Sequence, residues 1–251
     1  MSWPAEVTAS TAALLVGTSF LTSLLTAALG LGGGVLMLAI LASLLPPPFV
    51  VPLHALVQIG SNCGRAVLLW RHVATPLVLR FAAGTLFGVT LGSLVVLRLP
   101  EDGLRLVLGL FVLWSCFGGR PRFWATDPTL LPLVGVATGF LTMFVGASGP
   151  FVAAFFDPLR LGRKRVVATH AACMTVEHTL KALAFSLAGF SFLAWLPLLA
   201  LMIAAGFLGT LLGRRILART DDYRFARMFR LVLALLALRL LWQAGTGLVA
   251  A

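Results

Sequence analysis

Twice in this chain a long apolar run is cut by a glycine-rich break and resumes as a piece too short to cross a bilayer. Ala9–Leu29 leads through Gly30-Leu31-Gly32-Gly33-Gly34 into Val35–Leu45. Leu130–Val145 leads through Gly146-Ala147-Ser148-Gly149-Pro150 into Phe151–Phe156. Each short piece stops at a proline-marked turn, Pro46-Pro47-Pro48 or Asp157-Pro158. A spanning helix needs about 20 mostly apolar residues. Phe49–Trp70, Pro76–Leu97, Val166–Leu187 and Phe190–Ala218 meet that length, with Leu104–Phe117 and Phe225–Trp242 as shorter candidates. The chain is 60% hydrophobic and only 11% charged, where soluble domains carry about 25% charge. This composition excludes a soluble enzyme, a disulfide scaffold and a disordered chain. An all-α polytopic membrane protein is the expected fold class.

The two halves match beyond their breaks. Gly30, Gly33 and His54 recur 116 positions later as Gly146, Gly149 and His170. Gly88 and Gly92 correspond to Gly209 and Gly213, and Leu104–Leu108 to Phe229–Leu233. The expected organisation is a first repeat over residues 1–118, a cytoplasmic linker over 119–129 and a second repeat over 130–251. Each repeat would hold a broken helix with its half-helix, followed by three long transmembrane helices.

Loop charges give the repeats opposite orientations under the positive-inside rule. In the second half, Arg160, Arg163, Lys164 and Arg165 precede one long run, while Arg214, Arg215, Arg219, Arg224 and Arg227 follow the next. The hairpin between these clusters, Ala188–Ser191, is uncharged and belongs outside. In the first half the hairpin itself carries Arg71 and His72, with Arg80 nearby. Arg120 and Arg122 at the junction also fall inside. An inverted-topology repeat follows, with both termini periplasmic. Met1–Val7 has no basic residue and carries Glu6, unlike the start of a cleaved signal peptide.

The breaks are the first candidate site. Interrupted backbone is tolerated in a bilayer only where protein or water satisfies it. A half-helix starting there offers unpaired N–H groups and partial positive charge, which suits an anion. Gly32, Gly33 and Gly34 in the first half, and Ser148, Gly149 and Phe151 in the second, would supply those groups. Close helix packing by the glycines is the alternative. A polar stripe follows on the next long run of each half: His54, Gln58, Ser61, Asn62 and Arg65, then His170, Met174, Glu177, His178 and Lys181. At 100° per residue each set shares one face.

His54, Gln58 and His170 are therefore candidate substrate-binding residues, the histidines as donors. Asn62, Arg65, Glu177, His178 and Lys181 are candidate coupling or path-lining residues. Arg65 and Lys181 lie about 16 Å along the helix from the histidines, and snorkelling to the interface is an alternative for both. Glu177 and Lys181 could neutralise each other at i,i+4.

Other chemistries fare worse. Cys63, Cys116 and Cys173 lie singly inside apolar runs, as buried small residues. His170 and His178 stand about 12 Å apart along the axis, too far to share one ion, so no metal is expected. No nucleophile–base constellation appears, no cofactor is implied, and the arginines are too scattered for nucleic acid. Trp70, Trp124 and Trp242 sit near run ends, as interfacial anchors.

Ala28-Leu29-Gly30-Leu31-Gly32-Gly33-Gly34, the short run, the proline turn and the polar long helix together resemble the TauE/SafE sulfite exporter family. The resemblance spans nearly the whole chain. It implies a permease of the bacterial inner membrane that moves sulfite or related organosulfur anions outward. Where many members repeat a triple-glycine motif, this chain has Ala147-Ser148-Gly149-Pro150. Where members often carry a Thr-Ser pair, it has His54-Ala55 and His170-Ala171. The expected partners are a small sulfur-containing anion, membrane lipids and, as a coupling ion, the proton; the oligomeric state is open. An anion channel and a membrane assembly subunit are the rival readings.

Overall fold

The computed structural model describes residues 4, 6–29, 32–96, 100–117, 128–153, 156, 162–216, 238, 241, 242 and 245. Nine helices lie within the described residues: α1 (Ala9–Leu29), α2 (Gly33–Leu44), α3 (Pro47–Leu68), α4 (Thr75–Val96), α5 (Glu101–Phe117), α6 (Leu131–Val145), α7 (Gly149–Ala153), α8 (Arg163–Leu187) and α9 (Leu196–Ile216). No strand occurs among these residues, and the protein is an all-α multi-pass membrane protein. Gly30, Leu31, Gly118, residues 119–127 of the expected linker, Asp157-Pro158, Arg160, Arg219, Arg224, Arg227 and most of Phe225–Trp242 lie outside the described residues.

Helix ends follow local chemistry. α1 and α2 are separated at Gly32, whose φ is 102°. α6 ends at Gly146, whose φ is 71° and whose N–H bonds back to the Thr142 carbonyl. Both values lie in the left-handed region that glycine enters without steric penalty. The run Phe190–Ala218 does not form one helix. A 3₁₀ turn over Leu193–Trp195 comes first, and α9 begins only at Leu196. Pro197 then falls in its first turn, where a missing N–H costs no intrahelical bond.

Three stretches are long and apolar enough to cross a membrane: Ala9–Ala27, Thr75–Val96 and Leu193–Gly213. They surround the two polar helices, α3 and α8, which pack against each other. The fourth helix of each half packs on the other half. α4 lies along α6 and α8, while α9 lies along α1 and α3.

Close glycine approaches fix the helix directions. Gly84, Gly88 and Gly92 of α4 meet, in order, Pro132, Val136 and Phe140 of α6, so the two helices run parallel. Gly60 and Gly64 of α3 meet Ile203 and Phe207 of α9, and Gly209 and Gly213 of α9 meet Phe20 and Leu24 of α1. Thus α1, α3 and α9 share one direction. α8 runs the other way, because His178 faces His54 while Thr169, earlier in α8, accepts the Ala74 N–H beyond the end of α3. α4 starts beside Thr169 and reaches Met143 at Gly92, and Thr142 next to it binds Lys181. Hence α4, α6 and α8 share the second direction.

The bundle also has two unlike ends. The hairpin with exposed Arg71 and His72 sits beside the start of α8, which carries exposed Lys164 and Arg165. The Arg71 guanidinium lies 5.4 Å from the centroid of the Trp70 ring. At the opposite end, Phe49 packs on Phe190 and Trp195 in a cluster without charge. Cys63 is exposed on α3 rather than buried, because it lies off the polar stripe; Cys173 is buried.

Candidate functional site

α2 starts at Gly33 without any side chain capping its first turn. Gly33 itself is wedged against the Thr22 carbonyl and the Thr26 hydroxyl of α1, leaving no room for a Cβ. Thr26 belongs to the last turns of α1, so the broken helix folds back on its own first half. Close packing and an exposed helix start therefore coexist in one triplet. Gly33 packs, while Gly32 and Gly34 border a cavity.

That cavity lies between the two breaks and holds about 40 Å³. One water needs roughly 10–15 Å³, so it suits a small anion rather than a bulky organic molecule. From α3 it receives His54, Gln58, Asn62 and Arg65. α8 contributes His170, Met174 and His178, and the second break contributes Ala147, Gly149 and Pro150. No described residue lining it is acidic. Thr26, Val35, Ala147 and Pro150 were not singled out by sequence. The usable signal for Thr26 was a hydroxyl one turn before the first break.

The polar residues of α3 form a chain. His54 Nε2 lies 2.9 Å from the Gly34 carbonyl oxygen and 3.1 Å from the Gln58 amide nitrogen. Asn62 donates to the Gln58 carbonyl at 2.8 Å, and Arg65 Nη2 donates to Asn62 Oδ1 at 2.5 Å. Arg65 Nε also reaches the Ser61 carbonyl at 3.4 Å, and Ser23 of α1 donates to Ser61. Arg65 is only 5% exposed as a whole residue, so it does not snorkel. Helical side chains lean toward the N-terminus, so Arg65 reaches back past Asn62 into the cavity that His54 also lines.

α8 answers this only in part. His170 Nε2 lies 3.0 Å from the Gly149 carbonyl, as His54 does from Gly34. A carbonyl oxygen only accepts, so both Nε2 atoms carry the hydrogen and donate it to backbone, and the Gln58 amide nitrogen beside His54 Nε2 is a neighbour rather than a donor to it. The two histidines thus tie the long helices to the breaks, and these donors are not free for an anion. Lys181, the counterpart of Arg65, is buried away from the cavity. Its ammonium donates to the Gly146 carbonyl at 2.6 Å and to the Thr142 hydroxyl at 3.1 Å. Lys181 neither snorkels nor contacts Glu177 in an ion pair, because the carbonyl end of α6 offers it partial negative charge. Glu177 instead accepts from the Ser148 hydroxyl.

The second break is not a copy of the first. The Phe151 N–H already bonds to the Ser148 carbonyl at 2.9 Å, and the Phe151 ring stacks on Trp114 with centroids 4.4 Å apart. Of the residues expected at the site, Gly32, Gly34, His54, Gln58, Asn62, Arg65, Gly149, His170 and His178 come together around the cavity. Gly33, Ser148, Phe151, Glu177 and Lys181 stand behind it. Among the described residues, no three His, Cys, Asp or Glu side chains gather as metal ligands.

A family model described as sulfite exporter TauE/SafE matches residues 15–240. No curated protein and no solved structure matches the chain. With the family match running from α1 to beyond α9, the chain belongs to the TauE/SafE sulfite exporter family, a family of membrane transporters.

Proposed function

We propose that the protein is a secondary transporter that exports sulfite, or a related small sulfur-containing anion, across the bacterial inner membrane. The observation that carries this reading is the cavity between the helix breaks. It is small, buried in an apolar bundle, lined by the Arg65 guanidinium and bordered by the uncapped start of α2. Arg65 would hold the anion through charge-assisted hydrogen bonds, and first-turn N–H groups of α2 would add donors at the positive end of the helix. Gln58 and Asn62 set the guanidinium in place. His54 and His170 hold the breaks open by binding their carbonyls.

We read the access change as a rocking of two inverted repeats, residues 1–118 and 130–251 joined by the linker 119–129. Matching helices running in opposite directions support this: α1 against α6, α3 against α8, α4 against α9. The swapped packing of α4 and α9 supports it too, since either half can tilt only by sliding along helices of the other. The basic end, with Arg71 and Lys164, would face the cytoplasm.

Radiolabelled sulfite uptake into proteoliposomes tests the reading, with sulfate and taurine as competitors. Saturable uptake that is stimulated by unlabelled sulfite trapped inside is the expected result. Flux no greater than in protein-free vesicles, from folded and inserted protein, would remove the sulfite assignment. Fast flux without counterflow stimulation would make the protein a channel.

A further inference from the structure

Among the described residues, four buried side-chain polar atoms lack a hydrogen-bond partner, and three belong to one cluster: His54 Nδ1, Glu177 Oε2 and His178 Nδ1. Lys181 is their common electrostatic neighbour. Glu177 and Lys181 are both 0% exposed, and neither lines the cavity. A fully buried carboxylate with one bare oxygen is costly unless a proton or a cation neutralises it. We propose that Glu177 and Lys181 form a proton-binding site that loads together with the anion, so that one proton moves with each monoanion. This rests on the anion-transport reading above.

The proton count is simple. With one ionisable proton between them the pair is a carboxylate and an ammonium, net neutral. A second proton, taken from water on the loading side, bonds to Glu177 Oε2, since Oε1 is already held by Ser148. The pair then carries one positive charge. Lys181 keeps its ammonium because the Gly146 carbonyl and the Thr142 hydroxyl accept from it at the end of α6. That new charge stands behind His54 and His178, which line the anion cavity. It favours the anion, and by reciprocity the anion favours the proton. Release of the anion on the far side lets Oε2 return its proton to water.

The groups that face this pair come from three helices and the second break. α3 brings His54 and Arg65, and α8 itself brings His170, Cys173 and His178. Around the pair, α6 and the break contribute the Thr138 and Thr142 hydroxyls, the Ser148 hydroxyl and the Gly146 carbonyl. His54 and His170 hold their Nε2 hydrogens on backbone carbonyls, and the bare Nδ1 atoms of His54 and His178 are the competing places for a proton, which Glu177→Gln separates from the pair.

The test is sulfite uptake into proteoliposomes under an imposed pH difference or an imposed potassium-diffusion potential, corrected for protein-free vesicles. The expected wild-type result is accumulation of about tenfold per pH unit, with no response to the potential. That factor is what one co-transported proton supplies at 1.36 kcal/mol per unit. In Glu177→Gln the remaining uptake should be the same with and without the pH difference. Wild-type uptake that follows the potential and ignores pH overturns the proton site alone. So does a pH response retained in Glu177→Gln, which would move the proton to His178. Absence of any wild-type uptake overturns the transport reading, and the proton site with it. Should Glu177→Gln fail to fold, His178→Gln decides: a retained pH response keeps the proton on the pair, and a lost one moves it to His178.

Discussion

Arg65 shows what residue spacing can and cannot convey. The i,i+4 recurrence of polar residues along α3 was readable, and in the structure His54, Gln58, Asn62 and Arg65 border one cavity. Helical rise alone set Arg65 far from His54. The reach of the side chain cancels much of that distance, since the guanidinium leans back along Asn62 and Ser61. The divergence between Arg65 and Lys181 was not readable, because it depends on the Gly146 carbonyl lying within 2.6 Å of one and not of the other. Arg65 has neutral acceptors only, Asn62 and Ser61, so its charge is available to an anion. Arg65→Ala should therefore weaken sulfite binding about 10- to 100-fold, the effect of losing hydrogen bonds to a charged group. Arg65→Lys should recover part of the loss, keeping the charge without the planar fork. The half-saturation concentration for counterflow reads both. Unchanged affinity in Arg65→Ala would move the anion away from α3.

At the scale of elements, the glycine-rich breaks were the most legible feature, since Gly32 and Gly146 do adopt backbone angles that other residues avoid. The recurring glycines of α4 and α9 were legible as a pair but not as a contact. A pattern reports which face is small, and only the fold tells which helix presses on it. A Cβ at Gly88 would run into the Val136 carbonyl of α6, and one at Gly209 into the Phe20 carbonyl of α1. Such contacts allow backbones to approach closely where no hydrophobic effect drives association. Gly88→Val should lower stability by about 1–3 kcal/mol, the usual cost of overpacking. Gly17 supplies the control, because a Cβ there meets nothing within 4 Å. Gly17→Ala should leave the unfolding temperature in detergent unchanged or slightly raised, as Ala is the better helix former. Equal losses at the two positions would mean that the α4–α6 contact is not tight in the membrane.

On the scale of the whole molecule, packing brings the basic loops of both halves to one end, where their charges call for one side of the membrane. Arg71 and His72 belong to the first half, Lys164 and Arg165 to the second, and the Ala74–Thr169 hydrogen bond brings the two groups to one end. The uncharged Phe49 and Phe190 meet at the other. Retention of basic loops on the cytoplasmic side then predicts the sidedness of both hairpins at once. The natural cysteines must first be replaced, since Cys63 is exposed. Single cysteines at His72 and Ser191, both exposed on their hairpins, should then behave oppositely toward a membrane-impermeant maleimide in intact cells. Ser191→Cys should label at once, and His72→Cys only after the membrane is permeabilised. Labelling of both in intact cells would break the two-ended bundle. The reverse pattern would keep the bundle and invert it, placing the basic end outside and turning the proposed loading side of the anion with it.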